Sequence, residues 1–211
     1  MAAISWPEQP FRLITTTHDA ADAATLSSGA PAAVRVSRLM ALTHNTIFRA
    51  LNAIYVQCVA VKPENEKDVR DLATFASFAL DFLDNHHTVE ETVFFPMVEA
   101  QTGIPGLMDT NVQQHRDFDA ALGSLREYVE QLKMTALLDA GELRRRIEAL
   151  AGPLEKHLKD EIPTLLAIGK ILDNEKMETC YKAMHDEAEG TTDPYKCVIP
   201  SPYTLRAVDL Q

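Results

Sequence analysis

The sequence predicts an all-α protein built as an up-down-up-down four-helix bundle. Three observations support that fold: four long segments repeat apolar residues at three- and four-residue steps, the joins between them are short, and each segment carries a histidine among apolar neighbours. Short joins oblige successive helices to run antiparallel.

Residues 1–33 combine prolines with the small-residue run AADAATLSSGAPAA and show no sustained period, so they read as an irregular arm, with Trp6 and Phe11 placed to lie across the bundle. The first helix is expected from Val34 to about Val61, where Leu39, Leu42, Ile47, Leu51, Ile54 and Cys58 mark one face. KPENEKD breaks it. A second helix follows from about Glu66 to Glu99, with Leu72, Phe75, Phe78, Ala79, Phe82 and Leu83 as its inner face, continuing through Val93 and Met97. After the connection TGIPGLMD, Asp109 or Thr110 can cap a third helix reaching about Met134. The fourth is expected from near Ala136 to Ile168, bending or restarting at Gly152 and Pro153 and stopping at Gly169. Residues 34–170 thus form the bundle, and residues 171–211 add a short helix near Asn174 to Ala188 and an irregular tail.

Composition excludes several classes. A net charge of −11 repels phosphate backbones and anionic lipid, so neither nucleic acid nor a membrane surface is an expected partner. The cluster Arg144, Arg145 and Arg146 has no interleaved aromatic and reads as a solvated helix face. No apolar run reaches the ~20 residues that span a bilayer, and the first residues have no signal-peptide pattern, which makes the cytoplasm the simple location. Cys58, Cys180 and Cys197 form no CxxC pair and favour a reducing compartment; Cys58 reads as a small buried hydrophobe, and a Cys180–Cys197 bridge is left to geometry.

The chemistry lies in the histidines. His44, His86 and His87, His115, and His157 fall on the four successive helices, and His86 with Glu90 and His157 with Glu161 are spaced four apart, so each pair presents an imidazole and a carboxylate on one helix face. His87 with Glu91 repeats the spacing about 100 degrees away. The apolar period favours the first register and turns His87 and Glu91 toward a flank. One histidine on an apolar face is ordinarily a hydrogen-bonded core residue, and one HxxxE pair can be a surface contact. Burying Glu90 and Glu161 without a cation, however, costs several kcal/mol or obliges both to take up protons. A metal satisfies all the inward donors together. Imidazole and carboxylate donors with no inward cysteine suit iron best, manganese or zinc less well. At least six candidate groups exceed the four of a closed zinc site, and two carboxylates between histidines suit two metals about 3.5–4 Å apart.

The strings HNTIFRALNAIY around His44, HHTVEETVFFP from His86, NVQQHRDFDAAL around His115 and HLKDEIPTLLA from His157 resemble the hemerythrin-like, or HHE cation-binding, domains, and in detail their fungal branch. The resemblance spans roughly residues 35–170. It implies a bundle of hemerythrin-like type in which Glu90 and Glu161 bridge two irons, His44 and His86 complete one, and His115 and His157 serve the other. Oxygen-carrying members have a further histidine one turn before the position of His115, where this chain has Asn111. That departure leaves one iron short of donors unless Asn111, His87, Glu91 or water compensates. Gln114 and Asp119 are placed to orient His115, and Tyr55 or Tyr128 to donate a proton if they face the centre; His18 and His185 have no partner at ligand spacing.

The family includes oxygen carriers, iron or oxygen sensors and oxidation catalysts, so the resemblance implies the centre more firmly than the role. The leading expectation is a protein that binds or activates dioxygen or a related small molecule. The alternatives are an oxygenase or oxidase for a small organic substrate, with arm and tail as a lid, and a metal-stabilised module for a protein partner. Nothing in the sequence names such a partner.

Overall fold

A computed structural model describes residues 9–15 and 29–191; Trp6, His18, Cys197 and the tail beyond Thr191 lie outside the described residues. Helix α1 runs from Ala32 to Gln57, α2 from Glu66 to Val89, a π-helical turn from Glu90 to Phe94, α3 from Phe95 to Thr102, α4 from Asp109 to Thr135, α5 from Ala140 to Ile168 and α6 from Asn174 to Thr191. α2, the π turn and α3 form one rod. That rod packs beside α1 and α4, and α5 packs beside the same two helices, which closes the four-helix bundle. α6 lies outside it, across α1, α2, the π turn and α3. Among the described residues no helix is long and apolar enough to cross a membrane.

The inner face of α1 includes Val36, Met40, Ile47, Leu51, Ile54 and Cys58, whereas Leu39 and Leu42 are only partly buried. The arm meets this helix through two asparagines two turns apart. Asn52 accepts from the Phe11 amide at 2.9 Å and donates to the Phe11 carbonyl at 2.8 Å, and Asn45 does the same for Ile14 at 2.7 and 3.0 Å. Buried backbone groups of an irregular segment need such partners, and the clasps seat Phe11 and Ile14 in the core.

Along α2 the core is lined by Leu72, Ala73, Ala76, Leu80 and Leu83, and the phenylalanines Phe75, Phe78 and Phe82 stand on a partly exposed flank. The small alanines, rather than the large rings, are the buried residues, and Phe75 and Phe82 pack against the core from its edge. Beyond Glu90 the inner face passes to Phe94, Phe95 and Val98 instead of Val93 and Met97. The cause is the π turn, in which the Phe95 amide donates to the Glu90 carbonyl five residues back and one extra residue is accommodated. Pro96 follows immediately. It has no amide hydrogen and its ring crowds the carbonyl four residues earlier, so widening the turn lets the rod continue through it.

Several helix boundaries differ from expectation, among them the end of α1, at Gln57 rather than near Val61, and the end of the α2–α3 rod, at Thr102 rather than Glu99. Met108 occupies the cap position of α4 without a side-chain hydrogen bond, and Asp109 begins the helix rather than capping it. Ala136 closes α4 in the left-handed region at φ 53°, so α5 starts later, at Ala140, with Asp139 accepting from the Glu142 amide at 3.0 Å. α5 then passes Gly152, Pro153 and Pro163 as one helix, without a restart. Gly169 does follow its last residue, but with right-handed backbone (φ −62°); its glycine character answers to space, because a Cβ there would lie 2.2 Å from the Ala33 Cβ.

The arginine cluster is not simply a solvated face. Arg144 stacks over Tyr55 at 4.3 Å and donates to its carbonyl at 2.9 Å, while Arg146 donates to the Ser124 carbonyl at 2.7 Å, tying α5 to α1 and α4. Cys58 and Cys180 are buried thiols.

Candidate metal centre

His44, His86, His87, Glu90, His115, His157 and Glu161 are all buried, with His44, Glu90, His157 and Glu161 fully so. Donor atoms of His44, His86 and Glu90 lie within 4.8 Å of one another, and so do those of His87, Glu90, His115 and His157. Glu90 belongs to both groups. One of its oxygens lies 3.1 Å from His86 Nε2 and the other 3.5 Å from His115 Nε2, so the carboxylate spans the two. Glu161 approaches the first group, 3.2 Å from His44 Nε2.

The imidazoles are oriented from behind. His44 Nδ1 donates to the Leu158 carbonyl at 2.8 Å, His115 Nδ1 to Glu91 Oε1 at 2.7 Å, and His157 Nδ1 to Gln114 Oε1 at a longer 3.4 Å. Each of these partners is an acceptor, so the proton sits on Nδ1 and the Nε2 lone pair turns inward. For His115 and His157 the two Nε2 atoms then face one another at 3.0 Å with no proton between them. Such a contact repels unless a cation lies beside both, and about 3.0 Å is the separation of adjacent donors bonded at ~2.1 Å to one metal in octahedral geometry. His44 and His86 repeat the separation at 3.1 Å.

The electrostatics agree with the geometry. Burial, reinforced by neighbouring imidazoles, pushes His86, His87 and His157 below the ordinary histidine range. Burial lowers His115 as well, against the opposing effect of the hydrogen bond it donates to Glu91. Burial raises Glu90 well above the usual carboxylate range, and Glu161 and Glu91 add to it. Both oxygens of Glu90, both of Glu161 and both ring nitrogens of His87 have no hydrogen-bond partner among the described residues. Buried polar atoms left in this state are costly, and three such residues converging on one volume make a donor set that a pair of cations satisfies. Phe95 stacks on His115 at 5.7 Å, and Phe118 packs on His87, His115 and His157 at 5.1, 5.8 and 5.9 Å, walling that side with apolar surface.

The register expectation for α2 needs correction. His87 does not turn to a flank: it is 7% exposed, with its ring 4.3 Å from His115 and 5.1 Å from His157. Adjacent residues stand about 100 degrees apart on a helix, and Glu90 between the two groups lets His86 face one and His87 the other. Glu91 is partly exposed and reaches back to His115. Of the residues expected to orient His115, Gln114 instead joins His157 to Asp160, donating to the latter at 2.9 Å, and Asp119 is exposed. Asn111 is buried one turn before His115. Tyr55 donates to Glu148 at 2.5 Å and Tyr128 to the Asp139 carbonyl at 3.0 Å, so both hydroxyls are engaged with groups outside the cluster. His185, expected to have no partner at ligand spacing, does have one: Glu189, four residues on, lies 3.2 Å from its Nε2 on α6, outside the bundle.

The buried cluster is therefore geometrically consistent with a non-haem di-iron site. The family model described as the hemerythrin HHE cation binding domain matches residues 35–167. A relative from Cryptosporiopsis sp. (strain 8999), described as dimeric xanthone biosynthesis cluster protein R11, is 36% identical over 129 residues, covering 61% of this chain and 48% of the relative. The chain thus spans about half the length of the curated relative it matches. No solved structure matches at a comparable level of significance.

Proposed function

The chain belongs to the hemerythrin HHE cation-binding family, and on that premise we propose that it holds two non-haem irons and binds or activates dioxygen or a related small molecule. In this reading His44 and His86 hold one iron, His115 and His157 the other, and Glu90 and Glu161 lie between them. The observation that carries it is the pair of buried carboxylates with no hydrogen-bond partner beside imidazole nitrogens, Glu90 shared by both donor groups and Glu161 against His44. When bound, a ferrous pair supplies two electrons to dioxygen. The protein's own contribution is placement. Leu158, Glu91 and Gln114 fix the imidazole tautomers, and Phe95 and Phe118 keep water from one side of the cluster.

Oxygen or iron binding, sensing or storage is the first form of this function. The second is a di-iron oxygenase or oxidase acting on a small organic molecule in a biosynthetic pathway; what favours it is the relative described as a xanthone biosynthesis cluster protein. A cytoplasmic location fits the buried thiols Cys58 and Cys180. The net charge of −11 speaks against nucleic acid as a partner.

Anaerobic reconstitution with ferrous iron, followed by metal counting and optical spectra as oxygen is admitted, tests the reading. About two irons per chain and a new absorption band on oxygenation are expected. One zinc and no redox-active metal would overturn it. Product formation from a pathway compound would select the catalytic form, and clean reversible oxygenation the carrier.

A further inference from the structure

We infer that His87, on α2, supplies the imidazole that this chain lacks at residue 111 on α4, and so serves as third histidine donor beside His115 and His157. The inference rests on the di-iron reading above and assigns a donor within it.

The position of His87 is hard to explain otherwise. Its side chain is 7% exposed, and neither ring nitrogen has a hydrogen-bond partner among the described residues. A buried histidine kept for packing ordinarily satisfies at least one nitrogen, as His44, His115 and His157 do with their Nδ1 atoms. One His87 nitrogen instead falls within 4.8 Å of donor atoms on Glu90, His115 and His157. The neighbouring His86 belongs to the other group, with His44 and Glu90. One turn of α2 therefore addresses both metal positions: His86 one, His87 the other, Glu90 both.

Residue 111 is the natural comparison. It is one turn before His115 and buried, so a histidine there would share the His115 face of α4. Asn111 offers a weak amide donor in its place. With His87 counted, the position of His115 and His157 has three imidazoles and that of His44 and His86 has two, so the shortage of donors expected from Asn111 does not fall on the former.

The test is His87→Leu, alone and combined with Asn111→His, read by metal content and by thermal melting with and without ferrous iron. Parent protein should retain about two irons per chain and His87→Leu about one, and the double variant should regain the second. Melting separates a donor from a packing residue. Metal-free His87→Leu should melt at or above the parent, because a buried imidazole with no hydrogen bond is exchanged for an apolar side chain of similar reach, whereas the iron-loaded variant should melt below the loaded parent. Two irons retained by His87→Leu, or a lower metal-free melting point with unchanged metal content, would overturn the assignment while leaving the di-iron reading intact. Failure of the double variant to regain iron would overturn the equivalence of positions 87 and 111. A parent that takes up no iron would overturn the di-iron reading and this assignment with it.

Discussion

Glu91 shows how one side chain outside the cluster can set the behaviour of a residue inside it. Its carboxylate accepts from His115 Nδ1 at 2.7 Å while remaining 40% exposed, so it holds the imidazole orientation and makes its inward nitrogen a better donor without itself being desolvated. Glu91→Ala is therefore expected to weaken metal binding by ~10–100-fold with little change in metal-free stability, and Asp119→Ala to change neither. Competition against a chelator of known affinity measures both; equal losses from the two substitutions would show that general negative charge matters rather than this hydrogen bond. The residue-level pattern is only partly legible in the sequence. Spacing brings out His86 with Glu90 and His157 with Glu161 as pairs on one helix face, and His44 and His115 stand out as histidines among apolar neighbours on the other two helices. Spacing gives the wrong sense for His87, since a period read across α2 treats adjacent histidines as rivals for one face, whereas a centre with two positions can use both; Glu91 does stand on the flank where that period puts it. The roles of Leu158 and Gln114 depend on which helices lie side by side, and no spacing along one helix reports that.

At the scale of elements, the helices follow from apolar period and their ends from local chemistry. α4 and α6 lie close to where the period puts them, but the start of α5 is displaced because Ala136 takes the left-handed conformation and Asp139 caps the next helix. The signal was present as Asp139 followed three residues later by Glu142, the pattern of a capping box. The π turn is harder to read. Pro96 announces a disturbance, but whether a helix answers a proline by ending, kinking or widening depends on what packs around it, here α6 lying across the turn. Gly169 offers a direct test of how closely two elements approach. Gly169→Ala would place a Cβ 2.2 Å from that of Ala33, a methyl fixed to the backbone that cannot rotate aside, so α1 and the end of α5 must separate. A loss of about 1–3 kcal/mol is expected in denaturant unfolding. Gly152→Ala, with nothing within 4 Å of the added carbon and a helical backbone, should instead be neutral or stabilising. Equal effects at the two glycines would refute the close-approach explanation.

For the whole molecule, the cluster makes stability, protonation and metal uptake a single equilibrium. In the metal-free fold His86, His87, His115 and His157 resist protonation below the ordinary value of 6.5, so the unfolded chain binds more protons as pH falls through that value, and this part of the stability is lost on acidification. Glu90 acts in the opposite sense. Its folded value lies well above 4.5, so the fold keeps a proton that the unfolded chain gives up, and that part of the stability is lost as pH rises above 4.5 toward the raised value. The metal-free protein is thus weakened from both sides, and near neutrality the remaining penalty is that of Glu90. Below the raised Glu90 value metal must displace the Glu90 proton, whereas His86, His87, His115 and His157 are neutral above the ordinary histidine value and release none. Below that value uptake should therefore release the Glu90 proton, and this contribution should raise affinity by up to ~10-fold per pH unit until the raised Glu90 value, where the slope levels. Metal titrations in buffers of different ionisation enthalpy measure the proton count directly. Glu90→Gln should bind more weakly and without that slope, because its amide has no proton of this kind to lose. A steep pH dependence surviving in Glu90→Gln would move the linkage from the carboxylate to the imidazoles and reverse the protonation states assigned to the metal-free protein.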